Sequence, residues 1–160
     1  MSEYKTDKSM ITVDPGVNTG WVYWLPNSYL PCGSGVLRCA PLIKNKMEKL
    51  ADMWHKFHFV LIKYRPSIVV IEGVQLWASS LESVTSAKRG DSFFLSYIIG
   101  GYAHEAYKQS IEFVILTPNE WKGQQTKEAI DYKINATLSN KYRDHESDAV
   151  GMGLALRGKI

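Results

Sequence analysis

The sequence lacks any apolar run approaching the roughly 20 residues that a membrane-spanning helix needs, which excludes a spanning protein. Cysteine is scarce: there are two, Cys32 and Cys39. They do not form a CxxC pair, so a thiolate zinc site and a disulfide-dense mini-domain are excluded, and both are read as ordinary thiols of a cytosolic chain. Charge of one sign is also missing. Nineteen Lys and Arg against sixteen Asp and Glu leave +3, too little to coat a polyanion, so any such binding must come from local patches. There is no low-complexity stretch, internal repeat or Gly/Ser linker. The chain has no GxxxxGK[ST], no GxGxxG and no GxSxG, which argues against P-loop, dinucleotide-binding and serine-hydrolase chemistry. The opening MSEYKTDKSM lacks an apolar h-region, so no secretory signal is read there and the expected location is the cytoplasm.

What is present suits one folded unit. At 160 residues and 45% hydrophobic content, the chain can bury about 70% of its unfolded surface. A polar tail is expected over 1–9 and a single domain over 10–160. MITVDPG (10–16) and GWVYWLP (20–26) predict a hairpin, and GSGVLRCA (33–40) a third strand of the same meander. Residues 42–64 change period: Ile43, Met47, Leu50, Trp54, Phe57, Leu61 and Tyr64 recur at steps of three and four, one apolar stripe of a long helix stopped by Pro66. SIVVIEG (67–73) is a continuous apolar run, as in a strand buried on both faces. A loop over 74–90 precedes a helix from about 91 to 108. IEFVILT (111–117) is a fifth strand. Thr117-Pro118-Asn119-Glu120 fits a capping box opening a short helix. Further helices are expected over about 126–138 and from 144 to about 157. Leaving the short helix aside, the order is βββ-α-β-α-β-α-α. It predicts an α/β fold, a five-stranded mixed sheet with helices on both faces, whose helical crossovers impose parallel pairing.

Two carboxylates end strand runs. Asp14 precedes Pro15-Gly16, and Glu72 precedes Gly73. Asp-Pro-Gly is a good turn sequence in its own right, but Glu has no special turn role. If strands one and four are parallel neighbours, both emerge at the sheet edge where open α/β sheets place ligands. Asp144, His145 and Asp148 fall in the first turn of the last helix. Asp144 reads as its cap, Glu146 as solvent-facing, and Asp148 as turned toward the packed side. Two carboxylates 4 Å apart repel by about 4 kcal/mol at an effective dielectric of 20. A cluster of them therefore needs a proton or a cation. Oxygen donors with few histidines favour Mg²⁺ or Mn²⁺ over zinc, and acidic clusters holding two hard cations commonly hydrolyse phosphodiesters.

ITVDPGVNTGW, VVIEGV and DHESDAVGMGLAL resemble, in order, the three acidic motifs of the RuvC family of Holliday-junction resolvases, over about residues 10–157. The resemblance implies an RNase H-like fold and a homodimer working on branched DNA with two Mg²⁺ per active site, Mn²⁺ substituting. It makes Asp14, Glu72 and Asp148 core catalytic metal ligands and His145 the fourth catalytic, metal-binding position. NEWKGQQTKEAI resembles the family's DNA-contacting segment, with Lys122 and Lys127 at its two lysines and a shorter loop between them. Lys88 and Arg89 are expected to add phosphate contacts. Where many members carry a base-stacking aromatic, this chain has Gln75, with Trp77 two positions further on. A chain this short is consistent with a phage-encoded version, located then in the host cytoplasm.

Three rivals frame the reading. A nuclease of the same fold can act on flaps, forks or RNA–DNA hybrids. A silent architectural protein can bind junctions without cutting, although a negative cluster does nothing for DNA binding. Asp-Pro-Gly-x-Asn-x-Gly resembles the phosphate-loop turn of kinases and ATPases, but the chain is too short for the two domains that enclose a nucleotide, and no nucleotide cofactor is expected. The helix with Phe93, Phe94, Tyr97, Ile98 and Tyr102 carries more apolar surface than one sheet contact uses, a candidate dimer contact.

Overall fold

A computed structural model of the chain describes residues 7–74, 91–139, 142 and 144–160. Its elements are β1 (Met10–Asp14), β2 (Asn18–Trp24), β3 (Pro31–Arg38), α1 (Lys46–Tyr64), β4 (Ile68–Glu72), α2 (Asp91–Lys108), β5 (Glu112–Leu116), α3 (Pro118–Lys122), α4 (Lys127–Leu138) and α5 (Asp144–Leu156). The five strands form one mixed sheet in the order β3-β2-β1-β4-β5. β1–β2 and β2–β3 pair antiparallel, β1–β4 and β4–β5 parallel. This is the architecture the sequence predicts, an α/β fold with a five-stranded mixed sheet covered on both faces.

Strand alternation sorts the core into two layers. Ile11, Val13, Trp21, Val69 and Ile71 point to one face and pack under α1 and α2. Met10, Val22, Trp24, Ile68, Val70 and Leu116 point to the other, under α3, α4 and α5. Each fully buried large aliphatic or aromatic side chain gains about 1.5–3 kcal/mol over leaving it in water. Thr12, fully buried in β1, ties the second layer together: its hydroxyl donates to Ala149 O at 2.7 Å and accepts from Trp24 Nε1 at 2.9 Å. The buried hydroxyl is thereby satisfied both as donor and as acceptor, and α5 is fixed across β1 and β2.

α1 begins later than the stripe predicts, at Lys46 rather than residue 42. Asn45 is the reason: its Oδ1 accepts from Met47 N at 2.8 Å and Glu48 N at 3.4 Å, a side-chain N-cap. Ile43 lies before the helix, and Met47, 63% exposed, faces away from the sheet. The buried face is Leu50, Met53, Phe57, Val60 and Leu61. β2 starts at Asn18 and β3 at Pro31, each two residues earlier than predicted. At α3, the Glu120 carboxylate accepts from the Thr117 backbone N–H and hydroxyl at 2.6 and 2.8 Å. Cys32 and Cys39 are both free thiols. No helix among the described residues is long and apolar enough to cross a membrane.

Candidate active site

Parallel register puts the first two carboxylates side by side. Val13 pairs with Ile71, so Asp14 and Glu72 are the next residues out at the same edge of the sheet. β1 and β4 are central strands, and the edge is flanked by α5 on one side and α3 on the other. Across the antiparallel ladder, Asp14 faces Gly20 of β2. The first turn of α5 sits on that glycine: a Cβ there would lie 2.0 Å from His145 O. Only a residue without a side chain lets the helix come this close, and the approach delivers His145 and Asp148 to the cluster.

Each acidic group has a partner. His145 Nδ1 lies 2.9 Å from Asp14 Oδ2. Asp14 and Glu72 share a side-chain hydrogen bond. Trp121 Nε1 donates to Glu72 Oε1 at 3.2 Å. Lys127, the first residue of α4, donates to Asp148 Oδ2 at 3.1 Å. Lys122 Nζ stands 5.2 Å from the centre of the buried Trp121 ring.

The electrostatics follow from crowding. Burial, then the charges of Glu72 and Asp148, push the Asp14 pKa up to about 9, with Lys127 opposing. Burial also raises Glu72, against the Lys122 charge and the hydrogen bonds from Trp121 and Asp14. One proton therefore sits between the two strand-end carboxyls, carried by Asp14 and given to Glu72, while Lys127 balances Asp148. One negative charge is left over, and Lys122, beside Trp121, opposes it at Glu72.

A divalent cation would take over that neutralising role. No three His, Cys, Asp and Glu side chains among the described residues already converge as a metal-holding group. The donors themselves fit: carboxylate oxygens with one imidazole at the end of two central strands suit a hard cation such as Mg²⁺ or Mn²⁺.

Of the residues singled out from sequence, Asp14, Glu72, His145 and Asp148 come together at one edge, with Lys122 and Lys127 beside them. Both lysines face the acidic cluster, one directly and one through Trp121. Gln75, Trp77, Lys88 and Arg89 lie outside the described residues. Glu146, expected to face solvent, is half-buried. Trp121 was missed. The sequence signal was partial: the capping box at Thr117 starts α3 directly after β5, but it takes the register of Leu116 with Glu72 to put the tryptophan beside that carboxylate.

No protein-family model matches the sequence, and no curated protein matches it. Solved structures do. Thermus thermophilus RuvC superposes with a TM-score of 0.71 at 17% identity, over 92% of each chain. The fold is that of RuvC. The same RuvC in complex with a Holliday junction substrate gives 0.73 over the same shares, also at 17% identity. The yeast mitochondrial Holliday junction resolvase Ydc2 gives 0.62 at 13% identity, over 99% of this chain and 82% of its own. Fowlpox virus resolvase, bound to substrate Holliday junction DNA, gives 0.57 at 13% identity, over 94% and 99%. The acidic edge described above therefore sits on a RuvC-type sheet, the fold that the three sequence motifs imply.

Proposed function

We propose that the chain is a metal-dependent, structure-selective endodeoxyribonuclease that resolves four-way DNA junctions by paired symmetric nicks. The observation that carries this reading is the gathering of Asp14, Glu72, His145 and Asp148 at one edge of a RuvC-type sheet. RuvC and the fowlpox enzyme, which share that fold, are seen bound to Holliday junctions. Residues 10–160 act as one nuclease domain, working in the cytoplasm.

Asp14, Glu72, Asp148 and His145 would hold two Mg²⁺ ions, which when bound supply an activated water and charge stabilisation at the leaving oxygen. Trp121 keeps Glu72 aimed at the edge. His145, with Nδ1 on Asp14, keeps that carboxyl aimed at the edge and would complete the metal-binding set. Lys127 and Lys122 place positive charge where a phosphate enters, and Lys127 moves from Asp148 to the phosphate when the cluster is otherwise neutralised. Lys88, Arg89, Gln75 and Trp77 extend the DNA contact.

A four-way junction is cut twice, and the described residues hold one acidic cluster, so two copies of the chain are needed. α2 offers the seam. Phe93, Tyr97, Gly100, His104 and Tyr107 recur at alternating steps of four and three, the spacing of helices that pack along their length. Phe93, Tyr97 and Tyr107 are 69, 61 and 72% exposed, and none of the five is an Asp, Glu, Lys or Arg. A cleft of about 270 Å³ beside the stripe, lined by Trp54, Ser96, Tyr97, Gly101, His104 and Glu105 together with Gly100, has room for a partner's side chain. Tyr97→Asp should leave the chain folded but monomeric in analytical ultracentrifugation. A dimer that persists in Y97D removes α2 as the seam.

The decisive experiment presents a labelled four-way junction beside matched duplex, flap and RNA–DNA hybrid, with Mg²⁺ and then with EDTA. Paired symmetric nicks in the junction, lost with EDTA, are expected. Cutting confined to the flap or hybrid would keep the site and replace the substrate. Tight junction binding with no cutting in Mg²⁺ or Mn²⁺ would make the protein architectural.

A further inference from the structure

The turn that carries Asp14 is held from a second side, by a residue remote from the acidic cluster. Pro15, Gly16 and Val17 connect β1 to β2, and the buried Thr19 clamps them. Its Oγ1 donates to Gly16 O at 2.8 Å and accepts from Gly16 N–H at 3.1 Å. The same oxygen lies 2.8 Å from Tyr102 Oη. Threonine has one hydroxyl proton, and it is already on Gly16 O, so the Tyr102 O–H is the donor. Thr19 Oγ1 then gives one hydrogen bond and receives two, its full capacity.

Tyr102 sits in the middle of α2 with no solvent exposure, its ring 4.3 Å from that of Phe57. Burial lifts its hydroxyl well above the ordinary tyrosine range, so it stays protonated. Phenylalanine would fill the same space without burying a hydroxyl, which costs stability unless it is bonded. The bond this hydroxyl makes is to the residue that closes the Asp14 turn.

We propose that Tyr102 is a positioning residue for the acidic cluster: through Thr19 it fixes the Pro15–Gly16 turn, and with it the carboxyl of Asp14. His145 holds that carboxyl from α5, and Tyr102 holds its backbone from α2. This inference rests on the nuclease reading for its catalytic consequence, but not for the clamp itself.

The test uses Tyr102→Phe and the pair Thr19→Ser and Thr19→Val in the full chain. Two quantities are measured: exchange of the Gly16 amide proton, and single-turnover junction cleavage set against junction affinity. Y102F should speed Gly16 exchange and slow cleavage, each by about tenfold, the scale of a small misplacement of a reacting group. Junction affinity should not change. Thr19→Ser should behave as wild type, because it keeps Oγ1, and Thr19→Val should behave as Y102F. Wild-type exchange and cleavage in Y102F would overturn the proposal. So would a loss of junction affinity matching the loss of rate, which would mark a general packing role. If Y102F does not fold, equal cleavage by Thr19→Ser and Thr19→Val overturns it instead. If the wild type cuts no junction, the nuclease reading fails, and Gly16 exchange alone still decides whether the clamp exists.

Discussion

Asp14→Asn should abolish junction cleavage and, in the absence of divalent cations, raise the melting temperature. Both effects come from one carboxyl. Cleavage should fall at least about 10³-fold, the scale on which single members of a cooperating catalytic set fail. Junction affinity without divalent cations should hold, because the protonated Asp14 carboxyl carries no charge that asparagine would remove. The stability effect follows from linkage. Asp14 titrates near its ordinary 3.8 when unfolded and is pushed up to about 9 when folded, by burial and by Glu72 and Asp148. The folded state binds the extra proton, so this contribution to stability is complete below about pH 4 and is lost as pH rises toward 9. Wild-type protein in EDTA should therefore melt at progressively lower temperature across that interval, whereas Asp14→Asn should show a flatter profile. Mg²⁺ should restore the wild type at the alkaline end, since a bound cation replaces the proton. Calorimetry at a series of pH values, with EDTA and with Mg²⁺, checks this without relying on cleavage. Wild-type cutting by the variant would remove Asp14 from the site. Parallel melting profiles of the two proteins would mean that Asp14 carries no extra proton.

These carboxylates were legible in the sequence because each breaks a local rule. Glu72 ends a run of apolar strand residues without any turn role, and Asp148 opens the small and apolar part of its helix, residues 149–156. Such departures are expensive unless function retains them. That β1 and β4 are neighbours was left as a condition by the sequence; the structure meets it, and Asp14 and Glu72 emerge at the same edge. The partners of these groups were less visible. Trp121 reads as one more core aromatic until the β4–β5 register places it beside Glu72. Lys127 reads as a phosphate contact, and only the position of α4 shows its bond to Asp148. The aromatic-rich α2 could be recognised as carrying surplus apolar surface. Which side chains turn inward depended on its crossing with α1: Ile98 and Tyr102 are buried, Phe93 and Tyr97 exposed. The start of α1 was misplaced because the stripe was followed without weighing Asn45, whose side chain outcompetes a further helical turn for the first free N–H groups.

Gly20→Ala should disable the site while leaving every ionisable group in place. The added Cβ would lie 2.0 Å from His145 O, 2.3 Å from His145 C and 2.8 Å from Glu146 N. These are backbone atoms, so no rotamer change relieves the overlap. Either the first turn of α5 lifts off β2 or β2 bends. β2 is hydrogen-bonded on both sides, to β1 and β3, and is the stiffer of the two. The central part of α5 is pinned as well, by Thr12 to Ala149 O. The strain therefore falls on the residues before Ala149, those that carry His145 and Asp148. Overpacking of this kind costs about 1–3 kcal/mol, and a shift near 1 Å in a reacting group can lower the rate by about 100-fold. The expected result is a folded protein that binds junctions normally, melts lower and cuts about 100-fold more slowly. His145→Ala separates two origins of that defect: added to Gly20→Ala, it should cause little further loss if displacement of His145 is the main cause, and a multiplicative loss if Asp148 is. Cleavage by Gly20→Ala at the wild-type rate would show that the close approach of α5 to β2 is not what sets the geometry of the acidic edge.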